Sequence, residues 1–103
     1  MIPFTSAKHL SGFDVMSLTA LAPHGRNLLT VDTHLGFTSV YGALLYALAD
    51  YHLYWLPGAV GDQYLVVRAD FGVLRLVASS HSADGAAQVF NAAVGGNDVM
   101  HWR

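Results

Sequence analysis

Cysteine and glutamate are both missing from this chain of 103 residues, and charged residues of any kind are few. Without cysteine the chain can form no disulfide, no thiolate nucleophile and no cysteine-ligated zinc or iron–sulfur centre. All seven acidic residues are Asp, and with the five basic residues they make up 12% of the chain. That is about half the usual charged share, so burial of apolar side chains must supply most of the folding free energy.

The basic residues are scattered along the chain rather than clustered, and the net charge is −2 with the histidines neutral. A protein that binds nucleic acid needs clustered lysine and arginine to neutralise phosphates. We therefore expect no direct nucleic acid binding. Glycine-rich phosphate loops and the short zinc and calcium motifs are absent as well, and Lys8 is the only lysine. We expect no cofactor and no metal.

Long hydrophobic runs are also missing. The longest apolar stretch, residues 40–48, is far shorter than the roughly 20 residues that a membrane-spanning helix requires. The first ten residues carry Lys8 and His9 and no apolar run, which is not typical of a signal peptide. Together with the lack of cysteine, these features predict a cytoplasmic protein that does not associate with a membrane.

The chain is rich in hydrophobic residues, which make up 53% of it and exclude intrinsic disorder. Its length predicts one α+β domain over residues 1–103. Alternating patterns predict strands at 15–21, 28–34, 52–56, 64–69, 73–79 and 98–102. Two helices are predicted: residues 40–51, apolar on nearly every face, and residues 85–94, which follow Ser82 and end at Gly95.

These elements predict a two-layer sandwich, in which two helices cover an antiparallel sheet. The sandwich would be either ferredoxin-like or built from a duplicated ββαβ unit. An offset of 47 residues aligns segment 14–56 with segment 61–103 and matches His34 with His81. Few other residues match, so the internal repeat depends mainly on the shared order of elements.

The hairpin formed by residues 64–69 and 73–79 is the clearest local structure. Asp70, Phe71 and Gly72 lie between its strands. A three-residue loop is favoured, because a two-residue loop would place Phe71 at a positive φ, which is costly for a bulky side chain. In that register Ala69 pairs with Val73.

Histidines provide the candidate for a catalytic site. His34 and His81 both lie where a strand is followed by a predicted helix, and Asp32 lies on the same strand face as His34. An Asp–His contact would orient the imidazole as a general base in a pocket between sheet and helices. The plainer interpretation, which we favour, is that these are polar residues at strand ends bonded to backbone or water.

Aromatic residues are concentrated in the middle of the chain. The residues that we predict to contact a partner are Tyr51, Tyr54, Trp55 and Trp102. Tyrosine and tryptophan dominate the energetics of protein interfaces, and Trp55 is the best single anchor. The alternative is that these side chains line the core, with the tyrosine hydroxyls reaching solvent.

The function that these observations favour is that of a small, non-enzymatic interaction or inhibitor protein, which binds another protein through an apolar and aromatic surface. Self-association is expected, because the helix at 40–51 and both faces of the hairpin are apolar and need cover. Phage-encoded antagonists of the anti-CRISPR kind share this size and lack of motifs, although the likeness is one of class and not of residues. The alternatives are a small dimeric ferredoxin-like enzyme or ligand-binding protein with a histidine-containing pocket, and a subunit of a larger assembly.

Overall fold

A computed structural model describes residues 9–22 and 27–101 of the chain, with side chains up to residue 95. The two helices are α1 (Gly12–Leu21) and α2 (Ala83–His101). The five strands are β1 (Asn27–Thr33), β2 (Gly36–Leu48), β3 (Tyr51–Leu56), β4 (Gln63–Asp70) and β5 (Val73–Ser80). Each strand pairs antiparallel with the next, and β5 pairs parallel with β1. The sheet therefore closes into a barrel.

The closed barrel shows that the predicted two-layer sandwich is wrong. A ferredoxin-like sheet is open and carries its helices on one face, whereas here β1 and β5 join its two ends. The element order, one helix before five strands and one after them, also differs from two ββαβ units. Two exchanges between helix and strand account for most of the error.

The first exchange concerns α1, which occupies the segment that was predicted as strand 15–21. Ser11 caps this helix, since its hydroxyl accepts a hydrogen bond from the Asp14 backbone N–H at 3.1 Å. The Asp14 carboxylate in turn accepts one from the Ser11 N–H at 3.0 Å. This reciprocal arrangement is a capping box, which satisfies two amides that a helix start leaves unpaired. The Ser-x-x-Asp spacing was a helix signal in the sequence.

The second exchange concerns β2, which occupies most of the predicted helix 40–51. The first half of β2, residues 36–42, pairs with β1, and the second half, residues 43–48, pairs with β3. Apolar residues occupy both faces of the second half: Leu45 is buried against the helices, whereas Leu44 is 46% exposed. A run with apolar residues on both faces of a strand has the same pattern as a helix that is apolar all round.

The remaining strand predictions are close to the observed bounds. Strands predicted at 28–34, 52–56, 64–69 and 73–79 correspond to β1, β3, β4 and β5. Ser82 begins α2 as predicted, since its hydroxyl accepts a hydrogen bond from the Gly85 N–H at 3.0 Å. The helix does not end at Gly95 but continues to His101, so no strand forms at 98–101.

The β4–β5 hairpin has the loop that the sequence argued against. Asp70 pairs with Val73 and Ala69 with Leu74, which leaves a two-residue loop of Phe71 and Gly72. Their φ angles are 51° and 83°. Positive φ at both central residues is the hallmark of a type I′ turn, whose twist matches the flanking strands. The fit of the turn to the ladder outweighs the local strain at Phe71.

Replacing Phe71 with Asn is expected to raise the free energy of unfolding by about 0.5–1 kcal/mol, because Asn tolerates the left-handed region and Asn-Gly favours this turn. Phe71 is fully exposed, so little packing is lost. Urea denaturation measures the change. Phe71→Leu keeps the strain and serves as the control. Equal stabilities of the Asn and Leu variants would show that the positive φ costs nothing here.

The core has two parts, on the two faces of the barrel wall. The interior of the barrel holds Val31, Tyr54, Leu65 and Val67. The helix-side core lies between α1, α2 and the outer faces of β2, β3 and β4, and its fully buried members include Val15, Leu53, Val66 and Phe90. Successive residues of β3 and β4 therefore point alternately into the barrel interior and into the helix-side core.

The two helices are also fastened to each other. The Asn91 side chain of α2 accepts a hydrogen bond from the Leu10 N–H at 3.0 Å and donates one to the Leu10 carbonyl at 2.7 Å. Gly12 lies against Asp84, where a Cβ atom would meet the carboxylate. With both helices on the β3–β4 side, the outer face of β1 and the adjoining half of β2 stays free of helical cover.

Candidate functional site

Three large apolar side chains project from the uncovered outer face of β1 and β2. Leu28, Phe37 and Tyr41 are 59%, 67% and 64% exposed. Leu28 lies directly opposite Tyr41 in the β1–β2 ladder, and Phe37 lies opposite Asp32. Thr30 and Ser39 form the pair between them. We refer to Leu28, Thr30, Phe37, Ser39 and Tyr41 as the strand face.

A group of charged side chains borders the strand face at its Phe37 end. Arg75 of β5 donates a hydrogen bond to the Asp32 carboxylate at 2.9 Å, and its Nε lies 3.3 Å from the Asp70 carboxylate. Arg68 approaches the same Asp70 carboxylate at 3.5 Å. These pairs are largely exposed to solvent, so they add little to stability. Their four charges cancel, which leaves the border neutral but polar.

The strand face combines aromatic, aliphatic and hydroxyl side chains beside a charged border. Aromatic residues and arginine are enriched in protein interfaces, and the hydroxyls of Thr30 and Ser39, which lie between the apolar residues, can each donate and accept a hydrogen bond. Leu28 and Asp32 are four residues apart on one strand, so the face is roughly 13 Å long in that direction. Because the ladder of β1 and β2 fixes the backbone, the side chains are presented in a set arrangement.

Other exposed apolar residues are placed differently. Phe13 and Met16 lie one turn apart on the outer side of α1. Leu35, Val60 and Phe71 stand singly in turns and loops. Single exposed apolar residues are common on protein surfaces and need no partner. The strand face differs from them because its aromatic residues adjoin a polar, charge-paired border on a rigid sheet.

The predicted catalytic residues do not form a joined site among the described residues. Asp32 pairs with Arg75 instead of with a histidine. His34 lies in the β1–β2 turn and His81 between β5 and α2, and both are exposed. No hydrogen bond or ion pair joins either histidine to Asp32, and no group of three or more potential metal ligands occurs in residues 9–22 and 27–101. A catalytic role for these residues stays a prediction.

The aromatic residues predicted to contact a partner lie mostly inside the molecule. Tyr51 and Tyr54 are only 7% and 9% exposed. Trp55 is partly buried and packs against the helix-side core. Burial raises the pKa of the Tyr54 phenol above its usual value. Trp102 lies outside the described residues, and the partner-binding role of all four stays a prediction.

Sequence reasoning missed the strand face because it assigned part of that face to a helix. With residues 40–51 read as helical, Tyr41 had no reason to lie beside Leu28. The usable signal was the alternation of Phe37, Ser39 and Tyr41, which places all three on one side of a strand. The pattern does not show that this side of β2 is left without a helix over it, because that depends on where α1 and α2 pack.

Neither helix in the described part of the chain is long and apolar enough to cross a membrane. A scan against family models, a search of curated proteins and a search of solved structures all find no match to this chain.

Proposed function

We propose that this chain is a non-enzymatic interaction protein that binds another protein through the strand face. The observation that carries the proposal is the exposure of Leu28, Phe37 and Tyr41 on a sheet whose two core regions are complete without them. The molecule gains nothing in its own stability by keeping three large apolar side chains in water. Contact with a partner would remove them from water, at about 25 cal/mol per Å² of apolar area.

The geometry also indicates the chemistry of the partner. Arg68 and Arg75 are paired with Asp70 and Asp32, so the border offers no net positive charge to a phosphate backbone. A protein surface with apolar side chains at its centre and polar groups around them fits better. Side chains that are held by a sheet lose little conformational freedom on binding, which favours affinity.

We also propose that the chain acts as an inhibitor of its partner, in the manner of small phage-encoded antagonists. This role is supported only by the size of the chain and the lack of catalytic motifs. A cytoplasmic location is likewise proposed from the absence of cysteine.

Replacing Phe37 and Tyr41 together with Thr is expected to weaken partner binding at least about 30-fold, because truncating two aromatic anchors commonly removes 2 kcal/mol or more. Thr keeps the β propensity of the strand, so the fold should persist. The immobilised chain is incubated with lysate of its host cell, and proteins retained by the parent and the variant are compared by quantitative mass spectrometry.

The control is a double Gln variant at Phe13 and Met16, which removes a similar apolar area from the exposed side of α1. A protein captured by the parent and the control, and lost from the Thr variant, supports the proposal. Capture that survives in the Thr variant but disappears with the α1 variant would assign binding to α1 and overturn the strand face as the site. Circular dichroism checks that both variants are folded.

A further inference from the structure

The barrel is closed by a very short seam. β1 and β5 pair only at Val31 with Leu74 and at Asp32 with Arg75. The other four ladders contain between five and seven residue pairs. Beyond Arg75, residues 76–80 of β5 have no strand on the side away from β4 in the part of the chain that is described. We refer to this unpaired side of residues 76–80 as the β5 edge.

A β-bulge explains why the seam ends where it does. Val67 pairs with Leu76 and Val66 with Ala78, so Val77 is an extra residue in β5. A bulge bends its strand and increases the local twist, and bulges often terminate pairing at the rim of a barrel. β1 ends just past the seam at Thr33, and the chain turns there toward β2. The β5 edge is therefore unpaired because β1 ends and β5 bends at this point.

The β5 edge has backbone groups that another strand could pair with and few features that would prevent this. An edge presents N–H and C=O groups that a β-strand can pair with, and natural proteins protect such edges with charged residues, proline or short length. Residues 76–80 are Leu, Val, Ala, Ser and Ser, with no charge and no proline. Val77 is 45% exposed and Ser79 is exposed as well. The protective features that these five residues carry themselves are their short length and the bulge at Val77.

We infer that the β5 edge pairs antiparallel with the β5 edge of a second copy of this chain. Identical strands related by a twofold axis across the sheet run antiparallel, and alternate residues of an edge direct both an N–H donor and a C=O acceptor outward, so the edge is complementary to itself. With the axis at Ala78, Val77 lies opposite Ser79 of the second copy. Leu76 lies opposite Ser80 of the second copy, and Arg75, which pairs with Asp32 of β1, stays outside the contact.

The overall charge does not oppose association of two copies. The net charge of −2 on 103 residues is small, and the β5 edge itself carries none. The pairing uses β5 alone and leaves the strand face of β1 and β2 open. Self-association and partner binding are thus assigned to different residues, and this inference does not depend on the proposed function.

Sedimentation equilibrium tests the inference on the intact chain, from about 1 μM to about 500 μM, the range in which a moderate dimer dissociates. We expect a transition from the 11.1 kDa monomer to twice that mass. Val77→Lys places a charge on each β5 edge and should raise the dimer dissociation constant at least about tenfold. Val60→Lys makes the same change at a fully exposed loop position and should leave it unchanged.

Amide hydrogen exchange gives an independent readout. Protection of residues 76–80 should rise with concentration in the parent and not in Val77→Lys. A monomer at every concentration overturns the inference, and so does a dimer that Val77→Lys leaves intact. A dimer that is lost in the Phe37→Thr, Tyr41→Thr variant instead assigns self-association to the strand face. Should Val77→Lys fail to fold by circular dichroism, Ser79→Lys places the charge at an exposed position on the same edge.

Discussion

Replacing Phe90 with Ala is expected to lower the free energy of unfolding by about 3–5 kcal/mol. Phe90 is completely buried between α2 and the barrel wall, and it is the largest side chain with no exposure among the described residues. Its ring meets that of Tyr46 edge to face, with centroids 5.6 Å apart and planes at 75°. The substitution loses the transfer free energy of the ring, the aromatic contact and the packing around the cavity that remains.

The change is measured by urea denaturation and by the melting temperature, which should fall by more than about 12 °C for a domain of this size. Phe13→Ala is the matched control, because Phe13 is also helical but largely exposed. The control should stay within about 0.5 kcal/mol of the parent. A Phe90→Ala protein as stable as Phe13→Ala would mean that α2 does not pack on the barrel as described.

Replacing Trp55 with Ala is expected to cost about 3 kcal/mol of stability, the lower end of the range for a buried aromatic residue because Trp55 is only partly buried. Trp55 lies opposite Ala43 in β2 and Tyr64 in β4 and packs against the helix-side core. Partner binding by Trp55→Ala, measured below its melting temperature, should therefore match that of the parent. A variant that melts like the parent but binds at least about 30-fold more weakly would establish Trp55 as a partner anchor.

Trp55→Phe separates the packing of the ring from its polar atom. The indole Nε1 is buried and has no hydrogen-bond partner among the described residues. Removing an unsatisfied buried donor offsets part of the lost packing, because that group carries a desolvation cost of about 1–3 kcal/mol. Trp55→Phe should therefore cost less than about 1.5 kcal/mol. A loss as large as that of Trp55→Ala would show that the indole N–H finds a partner in solution.

The sequence was sufficient for four of the five strands, because each of them is short, alternates or lies beside a turn residue. β4 and β5 are separated by Asp70, Phe71 and Gly72, and β3 is stopped by Pro57. It was insufficient for β2, where apolar residues on both faces remove the period that distinguishes a strand from a helix. It was also insufficient for α1, whose capping box at Ser11 and Asp14 carried more information than the alternation that followed it.

Barrel closure and the strand face could not be predicted from local patterns. Closure depends on pairing between Asp32 and Arg75, which are 43 residues apart and carry no local sign of their contact. The strand face depends on which side of the sheet α1 and α2 cover, and that depends on apolar packing between residues far apart in the sequence, such as Phe90 against Leu53 and Val66. The ion pair of Asp32 with Arg75 is likewise a contact between distant residues that no local pattern indicates, and the catalytic role of Asp32, His34 and His81 stays a prediction.

The odd number of strands has a consequence for how the chain folds. Each strand in the up-and-down order reverses direction, so the fifth runs the same way as the first and the barrel must close with a parallel pair. Every other ladder joins neighbours in sequence and nucleates at a nearby turn, whereas this one must bring together segments 43 residues apart. The entropy of loop closure grows with that separation, and only two residue pairs offset it. We therefore expect the seam to be the last ladder to form and the first to open, so that a curled, open five-stranded sheet precedes the closed barrel on the way to the native state.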